Sequence, residues 1–174
     1  MNKIINQTAI LAFLMSFSFS VFAQEGYDIV EKGGQVPTFT INTEEGGSLS
    51  MKDFDGKVVL INFFATWCGP CRQEMPFLQK DVWEKYKDHS NFKMMSIGRG
   101  HTHVEVATFK EKQDLGFPMY GDRDKSIYSK FAKGYIPRNY IVDADGTIVY
   151  ASVGFSKEEF GEMLALLNQL LSND

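Results

Sequence analysis

Cysteine is scarce in this chain of 174 residues: two are present, Cys68 and Cys71, separated by Gly69 and Pro70. Two cysteines so close together rule out a multi-bridge disulfide framework. Positive charge is also short, with 18 Lys and Arg against 22 Asp and Glu and a net charge of -4. No basic field is available to neutralise phosphates, which argues against nucleic-acid binding. Internal repeats and low-complexity tracts are missing, and no second long apolar run follows the N-terminal region. Apolar residues nonetheless make up 44% of the chain, too many for intrinsic disorder. The length suits one domain with its own core.

Residues 1–23 place Lys3 ahead of an uncharged 15-residue run, 9–23, that ends in Val21, Phe22 and Ala23. This is the layout of a secretory signal peptide, and the run is shorter than the ~20 residues a membrane-spanning helix needs. The expectation is export to the periplasm or another extracytoplasmic space, removal of 1–23, and a mature domain of residues 24–174. The alternative is an uncleaved N-terminal anchor, the one case in which the protein would sit on a membrane. No cysteine near the end of the run could carry a lipid.

Downstream, residues 38–41 and 48–50 read as a short hairpin ahead of the main fold. Residues 57–64 form a near-continuous apolar run, the pattern of a strand buried on both faces. Met75, Leu78, Val82 and Tyr86 recur at helical spacing and predict a helix to about residue 88. A strand over 92–97 follows. Thr102 and Glu105 have capping-box spacing at the start of a helix to about 113. A helix over 125–133, a hairpin of 138–142 with 147–151, and a final helix over 156–171 complete the chain; Phe160, Met163, Leu164, Leu167 and Leu171 mark the last helix's apolar face. The alternation predicts an α/β sheet with helices on both faces.

Trp67-Cys68-Gly69-Pro70-Cys71 lies between the apolar strand and the following helix. A helix N-terminus stabilises an anion, so the thiolate of Cys68 is favoured there, and Cys71, one turn on, can resolve a mixed disulfide. A structural zinc site wants four ligands, and the other candidates are three histidines and carboxylates. A purely structural disulfide would close too small a loop to stabilise much. The setting favours a redox dithiol over both.

These residues resemble the thioredoxin superfamily, specifically its exported TlpA/ResA/DsbE-like thiol-disulfide oxidoreductases. The resemblance is carried by Val36-Pro37-Thr38-Phe39, by the stretch from Lys57 through the two cysteines to Pro76, and by Ile136-Pro137-Arg138-Asn139 with the strand that follows. It implies a thioredoxin-like central mixed sheet flanked by helices, with an N-terminal β-hairpin extension. It implies Cys68 as nucleophile, Cys71 as resolving cysteine, Gly69 and Pro70 as the intervening dipeptide, Pro76 as the proline that kinks the active-site helix, and Pro137 as a cis-proline that pairs with extended substrate. Ile136 and Trp67 are expected to border that substrate surface, Trp67 as a partly exposed platform across the dithiol; the alternative for Trp67 is core filling. Asn62 stands where thioredoxin has a buried Asp, six residues before Cys68, and cannot titrate. Glu74 matches a carboxylate of the ResA-like branch and is expected to assist deprotonation of Cys71; its alternative is a solvated surface side chain. Gly69, Pro70 and Ile136 resemble thioredoxin, implying a couple nearer ~-270 mV than ~-120 mV.

The implied activity is reduction or exchange of disulfides in protein substrates, fed by a membrane-embedded electron donor, with no cofactor and no metal. Two competing functions share the fold. A thiol peroxidase has no CxxC partner and carries a proline ahead of its Thr-x-x-Cys stretch, neither of which fits here. A Sco-like copper carrier has three residues between its cysteines. Four further residues have open roles: Arg99 as a thiolate stabiliser, His101 and His103 as metal ligands, all three alternatively parts of a polar capping loop, and Arg138 as a source of positive potential near Cys68 or a solvated strand-edge side chain.

Overall fold

A computed structural model of the chain describes residues 27–43 and 46–172, so the expected signal segment, 1–23, lies outside the described residues. The chain opens with a two-stranded antiparallel sheet, β1 (Thr40–Asn42) and β2 (Ser48–Ser50), followed by a 3-10 turn over Met51–Phe54. Strand β3 (Val58–Phe64) leads into helix α1 (Gly69–Phe77), a π-helical stretch over Leu78–Trp83 and a single turn, α2 (Glu84–Tyr86). Then come β4 (Phe92–Arg99), α3 (His103–Lys112), β5 (Met119–Asp122), α4 (Tyr128–Phe131), β6 (Arg138–Val142), β7 (Ile148–Val153) and α5 (Lys157–Ser172).

The main sheet has the order β5-β4-β3-β6-β7. Strand β3 is central, parallel to β4 and antiparallel to β6; β4 pairs parallel with β5, and β6 antiparallel with β7. All seven residues of β3 are buried, as a strand covered on both faces requires. Its side chains alternate between two cores. Val58, Leu60 and Phe64 join Cys71, Met75, Leu78 and residues of α3 and α5. Val59, Ile61 and Phe63 join Phe39 and Ile41 of the N-terminal segment and Tyr128 and Phe131 of α4. This is the thioredoxin-like mixed sheet with an N-terminal hairpin.

Several boundaries move for physical reasons. The helix expected to about residue 88, with Pro76 kinking it, is divided into α1, a wider π stretch directly after Pro76, which has no N–H to close onto the preceding turn, and α2, ending at Tyr86. The helix expected over 125–133 contracts to α4 because Lys125 has φ +62°, incompatible with a helix, and the Asp122 carboxylate accepts from Ile127 N (3.2 Å) and Tyr128 N (2.8 Å). The first hairpin strand is shifted to Thr40–Asn42, and β7 runs two residues past 151. Strand β5 has no counterpart in the sequence reading. Its Gly121 leaves room for the chain before α3: a Cβ there would lie 2.6 Å from His103 N. Thr102 caps α3 with a reciprocal pair, Glu105 N to Thr102 Oγ1 at 3.2 Å and Thr102 N to Glu105 Oε2 at 2.7 Å.

Candidate active site

The chain leaves β3 through Ala65, Thr66 and Trp67 and enters α1 at Cys68, its N-cap. Cys68 and Cys71 are joined as a disulfide. The Cys68 sulfur takes the capping role usually filled by a Ser or Asp oxygen, accepting from Cys71 N at 3.2 Å, and Pro70 sits in the first turn where no N–H is needed. Cys71 is fully buried, whereas Cys68 retains 5% exposure. Of the pair, Cys68 is the more exposed residue. Trp67 beside it is 69% exposed.

Across from Cys68 runs the segment before β6. The Ile136–Pro137 bond is cis, and the Ile136 carbonyl oxygen lies 3.7 Å from Cys68 Sγ. Residues 68 positions apart thus converge on one sulfur, with main-chain polar groups beside it.

Beneath the dithiol lies a polar row inside the core. Parallel and antiparallel registers set Ser96 of β4 beside Asn62 of β3, and Asn62 beside Asn139 of β6. Ser96 Oγ donates to Asn62 Oδ1 (2.6 Å), and Asn62 Nδ2 donates to Asn139 Oδ1 (2.9 Å). Glu74 of α1 closes the network: its Oε1 accepts from Asn139 Nδ2 at 2.6 Å and its Oε2 from Asn62 Nδ2 at 3.1 Å. Glu74 is 1% exposed and shares with Cys71 and Met75 the buried side of α1. Burial pushes its pKa up from 4.5 to about 7, outweighing the two amide donors, which favour the charged form. A carboxyl group poised to gain or lose a proton near neutrality therefore lies one helical turn from Cys71. The solvated alternative for Glu74 is excluded. Asn139 and Ser96 were not among the sequence candidates, although each is a polar residue inside an apolar strand.

The open candidates resolve differently. His101 Nε2 accepts from Thr66 N at 3.1 Å, tying the loop after β4 to the turn before Cys68, and His103 Nδ1 accepts from Gly121 N at 3.2 Å. Each ring nitrogen so used is unavailable to an ion. Among the described residues no group of three or more His, Cys, Asp or Glu side chains is placed to hold a metal. Arg99 stacks on the Tyr128 ring, 4.6 Å from its centroid. Arg138 is neither solvated nor turned to the sulfur: it is fully buried, ion-paired to Asp28, and its Nη1 donates to the Tyr140 hydroxyl at 3.3 Å. Burial pushes the Tyr140 hydroxyl up to about 12 against the opposing pull of Arg138.

Residues 32–151 match the model of the AhpC/TSA family. A thiol-disulfide oxidoreductase ResA of Bacillus thuringiensis is 30% identical over 169 residues, covering 94% of this chain and 95% of the relative. The thioredoxin-like protein YneN of Bacillus subtilis is 36% identical over 143 residues, 79% of this chain and 81% of that one. A solution structure from Bacteroides thetaiotaomicron, described as a candidate protein disulfide isomerase, superposes with a TM-score of 0.80 at 34% identity, covering 84% of this chain and 93% of that one. The chain belongs to the AhpC/TSA family and is a ResA-like thiol-disulfide oxidoreductase of thioredoxin-like fold.

Proposed function

We propose that the protein is exported and works in the reducing direction on disulfides of client proteins, with Glu74 as the proton acceptor for its resolving cysteine. In the reduced enzyme the Cys68 thiolate, stabilised at the N-terminus of α1, attacks one sulfur of a client disulfide. The client S–S bond breaks, a Cys68–client bond forms, and the other client sulfur leaves as a thiolate that takes a proton from solvent. Glu74 takes the Cys71 proton; the Cys71 thiolate attacks Cys68 Sγ and expels the second client sulfur as a thiolate, which takes a proton from solvent while Glu74 releases its own. Two electrons pass to the client, and the enzyme ends as the Cys68–Cys71 disulfide. Reuse needs an external reductant, for which a membrane-embedded carrier of reducing equivalents suits an exported protein.

The observation that carries this reading is the buried Glu74, held by Asn62 and Asn139 with a pKa of about 7. Asn62 cannot titrate, which leaves Glu74 as the acid–base group on this side of α1. The test follows the reduction of a disulfide-bonded peptide by pre-reduced protein under single-turnover conditions across the neutral range. The wild type is expected to accelerate as pH rises through about 7. Glu74→Gln is expected to be slower and to lack that inflection. Superimposable profiles would remove Glu74 from the mechanism. Ile136, Pro137 and Trp67 are read as the client-facing surface because the Ile136 carbonyl lies 3.7 Å from Cys68 Sγ, Pro137 follows it directly, and the exposed Trp67 directly precedes Cys68.

A further inference from the structure

The first described residues of the chain meet the loop before Pro137 in a cluster that the exchange chemistry leaves unused. Tyr27 O accepts from Lys133 N at 2.7 Å, and Asp28 forms an antiparallel bridge with Ala132. The Tyr27 ring packs edge-on against Tyr135, centroids 4.7 Å apart, and a Cβ on Gly134 would come within 2.8 Å of Tyr27 Cδ1. Arg138, whose guanidinium is paired with Asp28, donates from Nε to Gly134 O (2.9 Å) and Tyr135 O (3.2 Å). The Tyr128 hydroxyl donates to the same Tyr135 carbonyl at 2.8 Å.

These contacts converge on Tyr135, which holds φ +63°, a left-handed conformation rare for a bulky residue. Tyr135 directly precedes Ile136, whose carbonyl faces Cys68 Sγ. The orientation of that carbonyl therefore depends on what holds Tyr135. Two groups reach the loop from the far N-terminal segment: the Tyr27 ring and, through the Arg138 fork, the Asp28 carboxylate. A guanidinium suits the task because its planar donors can hold a carboxylate and two carbonyls at once, which an ammonium cannot do in a fixed geometry.

We propose that Tyr27, Asp28 and Arg138 are positioning residues for thiol-disulfide exchange, forming a clamp by which the N-terminal segment fixes Ile136 and Pro137 opposite Cys68 for pairing with an extended client segment. This rests on the reading of Ile136 and Pro137 as the client-facing backbone. A clamped loop meets the client already ordered; a released one must be ordered at each encounter. A small disulfide that touches only the sulfur gains nothing from the clamp.

The test compares two substrates on the full protein, pre-reduced, freed of reductant and followed in single turnovers: a disulfide-bonded peptide and the small aromatic disulfide 5,5'-dithiobis(2-nitrobenzoate). Asp28→Asn and Tyr27→Ala are expected to lower the second-order rate constant for the peptide by about tenfold or more while leaving that for the small disulfide almost unaffected. Asp28→Glu is expected to recover much of the loss. Tyr27 is 40% exposed, so Tyr27→Ala keeps the test open should Asp28→Asn fail to fold. Equal losses on both substrates in Tyr27→Ala, or no loss on either, would overturn the clamp. A wild type whose peptide-to-aromatic rate ratio is no higher than that of free dithiothreitol would instead overturn the client-facing reading of Ile136 and Pro137, and the clamp with it; a raised ratio retained by the variants would overturn the clamp alone.

Discussion

Glu74 couples stability to pH in a direction opposite to that of most carboxylates. Its folded pKa is raised, from 4.5 to about 7, by burial. Below pH 4.5 the group is protonated in folded and unfolded chains alike and contributes no pH dependence. Between those two values the folded protein holds a proton that the unfolded chain has released, so stability falls as pH rises. At ~1.4 kcal/mol per pH unit, the interval from 4.5 to about 7 corresponds to about 3 kcal/mol lost by the time pH exceeds 7. The exposed carboxylates Asp53, Glu105, Asp124 and Asp145 are shifted downward and act in a lower window. Urea unfolding of the oxidised protein and of Glu74→Gln at a series of pH values isolates the effect. The variant loses an acceptor facing Asn62 or Asn139, which offsets its curve by a constant of about 1–3 kcal/mol. The difference between the two curves should then move in the variant's favour by about 3 kcal/mol from pH 4.5 to above 7. A difference that does not change with pH would refute the buried, neutrally poised carboxyl.

Further outcomes can be checked independently. Replacing Asn139 with Ala removes the shorter of the two amide donors to Glu74, which favour its ionised form, so the inflection in the peptide-reduction profile should move upward by about one pH unit. Leu60→Ala, at a fully buried position of the central strand, should cost about 2–5 kcal/mol in chemical unfolding. Gly121→Ala drives a Cβ to 2.6 Å from His103 N and should destabilise by about 1–3 kcal/mol, because backbone cannot yield as a flexible side chain can. Cys71→Ser, which keeps Cys68, should trap client proteins as mixed disulfides and consume no added peroxide; steady peroxide turnover would point to a thiol peroxidase.

Features written in contiguous residues were readable in advance. The seven-residue apolar strand β3, the cysteine pair that follows it, the capping box at Thr102 and the periodicity of α5 all depend on neighbours in the chain. Features that depend on register were not. The Ser96-Asn62-Asn139 row exists only once β4, β3 and β6 are aligned, so Glu74 could be placed on the same helical face as Cys71 but not seen to be buried. Arg138 finds its partner 110 residues away, which no local pattern reveals. Strand β5 escaped because Met119-Tyr120-Gly121-Asp122 is short, lies at the sheet edge and carries Gly and Asp, both poor strand formers. The π stretch escaped because apolar spacings of three and four persist through it.

The proposed reducing role is tested most directly by the equilibrium potential of the Cys68–Cys71 couple, measured in glutathione and dithiothreitol buffers with the fraction oxidised read by thiol labelling. The account predicts a value near about -270 mV, a couple that passes electrons to client disulfides and needs continual supply. A value near about -120 mV would make the protein a disulfide donor and contradict it.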